Sequence, residues 1–210
     1  MPIKAIIFDL GGVLVELDYS NFYNRIISLS PLENPHTRHT HAMLDFFKQS
    51  DLYHQGKMSD EEFFKFSCDL LQISLSSQSE FYDAFNSIIS REMPETTELL
   101  RDLKDSGKYK LIALSNVNSS HWKYLLEKDW PFLEYFDELI LSFKIHKTKP
   151  NPEVFQLAIK KAGCQPEEIV FIDDGFNNTR SAKEQGINPI HFTNKEELIE
   201  DLKKLNVYIS

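Results

Sequence analysis

Short apolar runs that each stop at a polar residue recur along this chain, and they restrict its fold more than any other feature. Residues 3–8 run into Asp9, residues 109–114 into Ser115 and Asn116, and residues 169–172 into Asp173 and Asp174. Residues 138–142 and 188–192 form two further runs. A brief, unbroken apolar run is the pattern of a strand covered on both faces. Helical patterns fill the gaps, at 95–106, 120–128, 152–162, 179–185 and 195–205. Strands alternating with helices predict an α/β fold, a Rossmann-like parallel sheet flanked by helices.

Residues 19–90 interrupt the alternation. No convincing strand is read there, and Phe and Tyr recur at spacings of three and four, as in Phe63 with Phe66 and Phe81 with Phe85, which predicts helices. Ser59 and Glu62 fit a capping box that starts one of them. Asp18 precedes another helical pattern and reads as its N-cap. The stretch 31–41 (PLENPHTRHTH) reads as a loop, with His36, His39 and His41 in no metal-binding spacing. The division that follows is a core of 1–18 and 91–210 with an inserted all-helical cap of 19–90.

Composition narrows the function classes. The 210 residues carry 23 Lys plus Arg against 32 Asp plus Glu, a formal net charge of -9, which speaks against a nucleic-acid binder that needs a basic face. A membrane-surface protein would want clustered Lys and Arg, and no run approaches the ~18 apolar residues of a membrane span. The two cysteines, Cys68 and Cys164, make no disulfide framework. A soluble cytoplasmic protein is the expectation.

Ligands of an open parallel sheet bind outside the carboxyl ends of its strands. The polar residues at those ends therefore belong to one site. Asp9, Asp173 and Asp174 would crowd negative charge there, and a hard cation such as Mg²⁺ relieves it. Lys149 adds a positive point charge suited to phosphate. Ser115 and Asn116 offer a hydroxyl, an amide and backbone N–H groups at the start of a helix, a natural anion site. A metal, an anion pocket and a free carboxylate point to phosphoryl transfer through an aspartyl-phosphate.

Four motifs carry this constellation in order: FDLGGVL at 8–14, LSN at 114–116, KTKPNPEVF at 147–155 and FIDDGFNN at 171–178. The ordered set resembles the haloacid dehalogenase superfamily of hydrolases, and within it the sugar-phosphate phosphatases with an FDLGGV first motif. That resemblance spans nearly the whole chain, including a helical cap between the first and second motifs. It implies that Asp9 is the nucleophile. It implies that Mg²⁺ is held by Asp9, the backbone carbonyl of Gly11, Asp173 and Asp174, and that Ser115, Asn116 and Lys149 bind the phosphoryl group of a small phosphorylated substrate. Asn178 would tie the loop of the fourth motif together.

One departure matters. Most phosphatases of the superfamily carry an acid–base Asp two residues after the nucleophile, where this chain has Gly11. Glu16, Asp18 or a histidine of the cap are candidate substitutes, and a non-catalytic phospho-ligand binder is the alternative reading. The dehalogenases carry Tyr at that position and lack the acid pair, so a metal-dependent phosphatase is favoured. A response-regulator receiver places its acid pair first and its phosphorylated Asp in mid-chain, the reverse of the order here.

Overall fold

The computed structural model describes residues 1–29, 35–74 and 77–207. In chain order its elements are β1 (Ala5–Phe8), β2 (Val15–Leu17), α1 (Tyr19–Ser28), α2 (Pro35–Gln49), α3 (Asp51–His54), α4 (Asp60–Leu71), α5 (Gln78–Asn86), β3 (Ile89–Glu92), α6 (Pro94–Asp105), β4 (Lys110–Ser115), α7 (Ser119–Glu127), β5 (Glu138–Leu141), α8 (Ser142–Ile145), α9 (Pro152–Ala162), β6 (Ile169–Asp173), α10 (Phe176–Glu184), β7 (Asn188–His191) and α11 (Lys195–Lys204). Among the described residues, no helix is long and apolar enough to cross a membrane.

The five apolar runs form one parallel sheet in the order β5-β4-β1-β6-β7. Its central strand explains why the runs do not alternate with polar residues. Ile6 and Phe8 point into one apolar layer, where Leu99, Leu103, Leu198 and Leu202 from α6 and α11 cover them. Ala5 and Ile7 point into the other, where Phe155, Ala158 and Ala182 from α9 and α10 lie. Both faces are buried, and each fully buried Ile or Phe contributes on the order of 1.5–3 kcal/mol. The sheet order reverses at β1: the chain proceeds to β4 on one side and later to β6 on the other. This is the place where an open α/β sheet leaves a crevice at its carboxyl edge.

Helices α1 to α5 gather around a separate aromatic cluster. Phe22, Phe46, Phe63, Phe81 and Phe85 are all buried there. Phe22 and Phe85 meet edge to face at 5.6 Å, and Tyr53 stacks on Phe63 at 4.1 Å. The capping box at Ser59 and Glu62 forms in both directions. Asp18 caps α1, its carboxylate accepting hydrogen bonds from the Ser20 N–H at 2.9 Å and the Ser20 hydroxyl at 2.5 Å.

Two features depart from the sequence reading. Stretch 31–41 is not all loop: α2 begins at Pro35, a residue suited to the first helical position. Residues 31–34 and the side chains of His36 and His39 lie outside the described residues, and His41 is exposed on the helix. Next, two strands exist where none was read, β2 and β3. β3 pairs antiparallel with β2, with Val15 opposite Glu92 and Leu17 opposite Ile89. The chain thus leaves the sheet for the helices and returns from them along one two-stranded ribbon.

Candidate active site

Of three adjacent strands, β4 and β6 end in Ser115 and Asp173 and β1 is followed at once by Asp9, so the sheet itself sets these side chains side by side. Lys149 arrives from the segment before α9. Its ammonium lies 2.9 Å from Asp9 Oδ2 and 2.6 Å from Asp173 Oδ2. All three groups are buried. The Lys149–Pro150 peptide bond is cis.

Each buried atom in this cluster has a partner. Asp9 Oδ1 accepts from the Leu10 N–H at 2.7 Å. Asp173 Oδ1 accepts from the Gly175 N–H and from Asn178 Nδ2, both at 2.8 Å, so Asn178 does tie the loop to the acid. Asn116 grips the backbone on both sides of Lys149's Cα: its Nδ2 donates to the Lys149 carbonyl at 2.9 Å and its Oδ1 accepts from the Lys149 N–H at 2.8 Å. The Asn116 amide thus places the lysine and keeps one Nδ2 proton outside this pair of bonds. Ser115 Oγ has no hydrogen-bond partner among the described residues.

The electrostatics follow from burial and proximity. Burial, with Asp173 adding to it, raises the Asp9 carboxyl to about 7 against the opposing pull of Lys149. Burial opposes the charge of Lys149, yet Asp9 and Asp173 outweigh it and hold the amine above the ordinary lysine value. Asp174 is raised by burial and by its neighbour Asp173. Three carboxylates face one ammonium, and oxygens of Asp9, Asp173 and Asp174 lie within 4.8 Å of one another. That donor set, all hard oxygen with net negative charge, fits a magnesium-type ion.

The glycines of the first motif have distinct reasons. Gly12 has φ +74°, and a Cβ there would sit 2.2 Å from Asp174 Oδ2, so only glycine lets the acid pair close onto this loop. Gly11 has no such φ. A Cβ on it would meet only the tip of Leu17, at 2.8 Å.

The sequence-level candidates for the missing acid are engaged elsewhere. Glu16 pairs with Arg91 at 2.6 Å across the ribbon, and Asp18 is the cap of α1. A cavity of about 620 Å³ opens from Asp9, Ser115 and Asp174 toward the helices. Its wall holds residues the sequence did not single out, among them Tyr19, His54 and His121. No spacing marks them, because they come from three separate segments. Burial lowers the pKa of His54, and burial together with His54 lowers His121 to about 3, so both rings are neutral.

Comparison with known proteins bears on this geometry. The family profile of haloacid dehalogenase-like hydrolases matches residues 3–186. A D-ribitol-5-phosphate phosphatase of Bacteroides thetaiotaomicron is 31% identical over 195 residues, covering 88% of this chain and 89% of that protein. A crystal structure of a HAD family enzyme from the same organism, in complex with magnesium and inorganic phosphate, superposes with a TM-score of 0.77 at 28% identity, over 91% of this chain and 94% of that one. A predicted HAD-like family hydrolase from Porphyromonas gingivalis gives a TM-score of 0.77 at 28% identity, over 99% of this chain and 100% of that one.

Proposed function

The chain belongs to the haloacid dehalogenase-like hydrolases, and from that premise we propose that this phosphoric monoester hydrolase is Mg²⁺-dependent, acts on a small phosphorylated metabolite of the sugar-phosphate type, and works through an aspartyl-phosphate on Asp9. The observation that carries the reading is the contact of Lys149 with both Asp9 and Asp173 at the carboxyl edge of the central strands.

Asp9, the backbone carbonyl of Gly11, Asp173 and Asp174 would hold the ion. Bound there, it neutralises charge on the carboxylates and on the phosphoryl oxygens. Ser115 Oγ, the backbone N–H groups beyond it and the Lys149 ammonium orient the phosphoryl group, and Asn116 acts by gripping Lys149. An Asp9 oxygen forms the new bond to phosphorus as the bond to the leaving oxygen breaks. That oxygen departs with the electron pair and takes up a proton. Water then attacks the phosphorylated carboxylate, loses a proton, and releases inorganic phosphate with Asp9 restored.

The helices of 19–90 act as a cap on the core of 1–18 and 91–210, closing over the substrate and excluding water. The ribbon of β2 and β3 would join the two. A screen of phosphorylated metabolites with Mg²⁺ is the test. Turnover that Asp9→Asn abolishes supports the reading and removes the non-catalytic alternative, whereas turnover unchanged in that variant overturns it.

A further inference from the structure

Tyr19 stands where the charged and the helical parts of the cavity meet. It opens α1 just beyond β2, and β2 is pinned at its start to the first-motif loop, where the Gly12 N–H donates to the Val15 carbonyl at 2.8 Å. The chain leading into it is held as well: the Asp18 N–H donates to the Ile88 carbonyl at 2.8 Å, and the Asp18 carboxylate caps the helix. The ring packs edge to face on Phe47 at 5.2 Å. Tyr19 shares the cavity wall with Asp9 and Asp174. Burial, with the negative charge of Asp174 and Asp9 added to it, raises its phenol above the ordinary tyrosine value, so the hydroxyl keeps its proton at neutral pH. Among the described residues, that hydroxyl has no hydrogen-bond partner in the protein.

The neutral polar side chains farther toward the helices are used by the protein itself. Ser50 Oγ donates to the Phe47 carbonyl at 2.9 Å. His54 Nδ1 bonds the Ser50 carbonyl at 3.0 Å, and His121 Nε2 bonds the Phe85 carbonyl at 3.2 Å. The two remaining ring nitrogens face one amide: Asn118 Nδ2 lies 3.4 Å from His54 Nε2 and 3.2 Å from His121 Nδ1. These contacts have one consistent solution. Each histidine donates to its backbone carbonyl and accepts one proton of the Asn118 amide, so each ring nitrogen is occupied. The Tyr19 hydroxyl is thus the side-chain group of the organic end that is open to a substrate.

We propose that the Tyr19 hydroxyl binds the substrate hydroxyl on the carbon next to the phosphorylated one, and so makes this protein selective for phosphate monoesters of 1,2-diols. The inference rests on reading Asp9 as the phosphatase nucleophile and names the part of a sugar phosphate that is read. Polyols and open-chain sugars phosphorylated at a terminal carbon carry a hydroxyl at that position. It lies at the edge of the phosphoryl site, as Tyr19 does. A phenol and an alcohol are each donor and acceptor, so the pair is satisfied without a charge. Hydroxyls farther from phosphorus keep water partners, for which a cavity of about 620 Å³ leaves room.

The test compares 2-hydroxypropyl, 3-hydroxypropyl and n-propyl phosphate under Mg²⁺, in the unaltered protein and in Tyr19→Phe. We expect kcat/KM for the 2-hydroxypropyl ester to exceed that of the other two by about fivefold to tenfold, and Tyr19→Phe to remove most of that ratio. All three release a primary alcohol, and the inductive effect of the hydroxyl on the leaving oxygen is the same in both proteins. The change in ratio therefore reads the contact alone. Tyr19→Phe keeps the ring against Phe47, and an unaltered melting temperature checks that the fold is retained. A ratio that survives Tyr19→Phe, or that is absent from the unaltered protein, overturns the inference and leaves the phosphatase reading intact. Should no ester turn over above the Asp9→Asn variant, the phosphatase reading fails. Calorimetry with the same three esters then decides the contact: tighter binding of the 2-hydroxypropyl ester that Tyr19→Phe cancels supports it, and equal binding overturns it.

Discussion

The two ends of the cavity are built from opposite materials. At the sheet end, charge is concentrated and the buried charged groups hold one another: Lys149 sits between Asp9 and Asp173, Asn116 on the Lys149 backbone, Asn178 on Asp173. At the helical end, interlocked aromatic rings do the work, with few polar groups and those turned back on the protein. The difference separates two tasks. Chemistry at phosphorus needs fixed charges, and fixed charges need a rigid strand edge. Selection of the organic part needs shape, which the rings of a helical block can supply.

Substitutions can break that contrast at either end. The largest effect is expected from Asp9→Asn, which removes the proposed nucleophile while keeping the shape: turnover should fall about 10⁴-fold or more with the melting temperature kept or raised, since one buried charge is gone. Next comes Lys149→Met. It leaves Asp9 and Asp173 facing each other without their counter-charge, a loss of about 3–5 kcal/mol in stability by denaturant titration, part of which added Mg²⁺ should restore. At the helical end, Phe63→Ala should cost a similar or smaller amount, about 3 kcal/mol, without any recovery by Mg²⁺, because it opens a void among rings and touches no carboxylate.

The smallest expected effect is a gain. Gly11→Asp should raise kcat by about tenfold toward esters of poor leaving groups. Glu16 and Asp18 are bound to Arg91 and Ser20, both histidines are neutral and occupied, and the new Cβ displaces only the end of Leu17. An unchanged rate would show that another group already supplies the proton, and would sharpen the contrast by placing a catalytic donor at the helical end.

The sheet end was readable in the sequence because strand, burial and chemistry coincide there. A strand covered on both faces must be apolar throughout, so its first polar residue marks both its end and the site. That is how Asp9, Ser115 and Asp173 stand out, and all five strands with them. The helical end lacks such a marker. Periodicity says that Phe63 and Phe81 are inside, but it does not distinguish a ring in the core from one on a cavity wall. His54 and His121 acquire their roles only through Asn118, which joins distant segments. β3 was missed since Ile89–Glu92 has two exposed polar residues and a partner, β2, of only three residues. The start of α2 was missed since the stretch before Ala42 has no apolar period, and a helix there is continued from its packed half rather than signalled locally.

The register of β1 has a consequence for how the chain acquires its shape. Ala5 pairs with Lys110 on one side and with Ile169 on the other. The central strand is made first and must wait for partners from the second half of the chain, a contact order that makes for slow closure of the sheet. The aromatic helices join neighbours in sequence and can collapse while β1 is still unpaired. During synthesis the strand that leads into Asp9 is thus exposed longest, and the helical block that follows it is the nearest apolar surface able to shelter it.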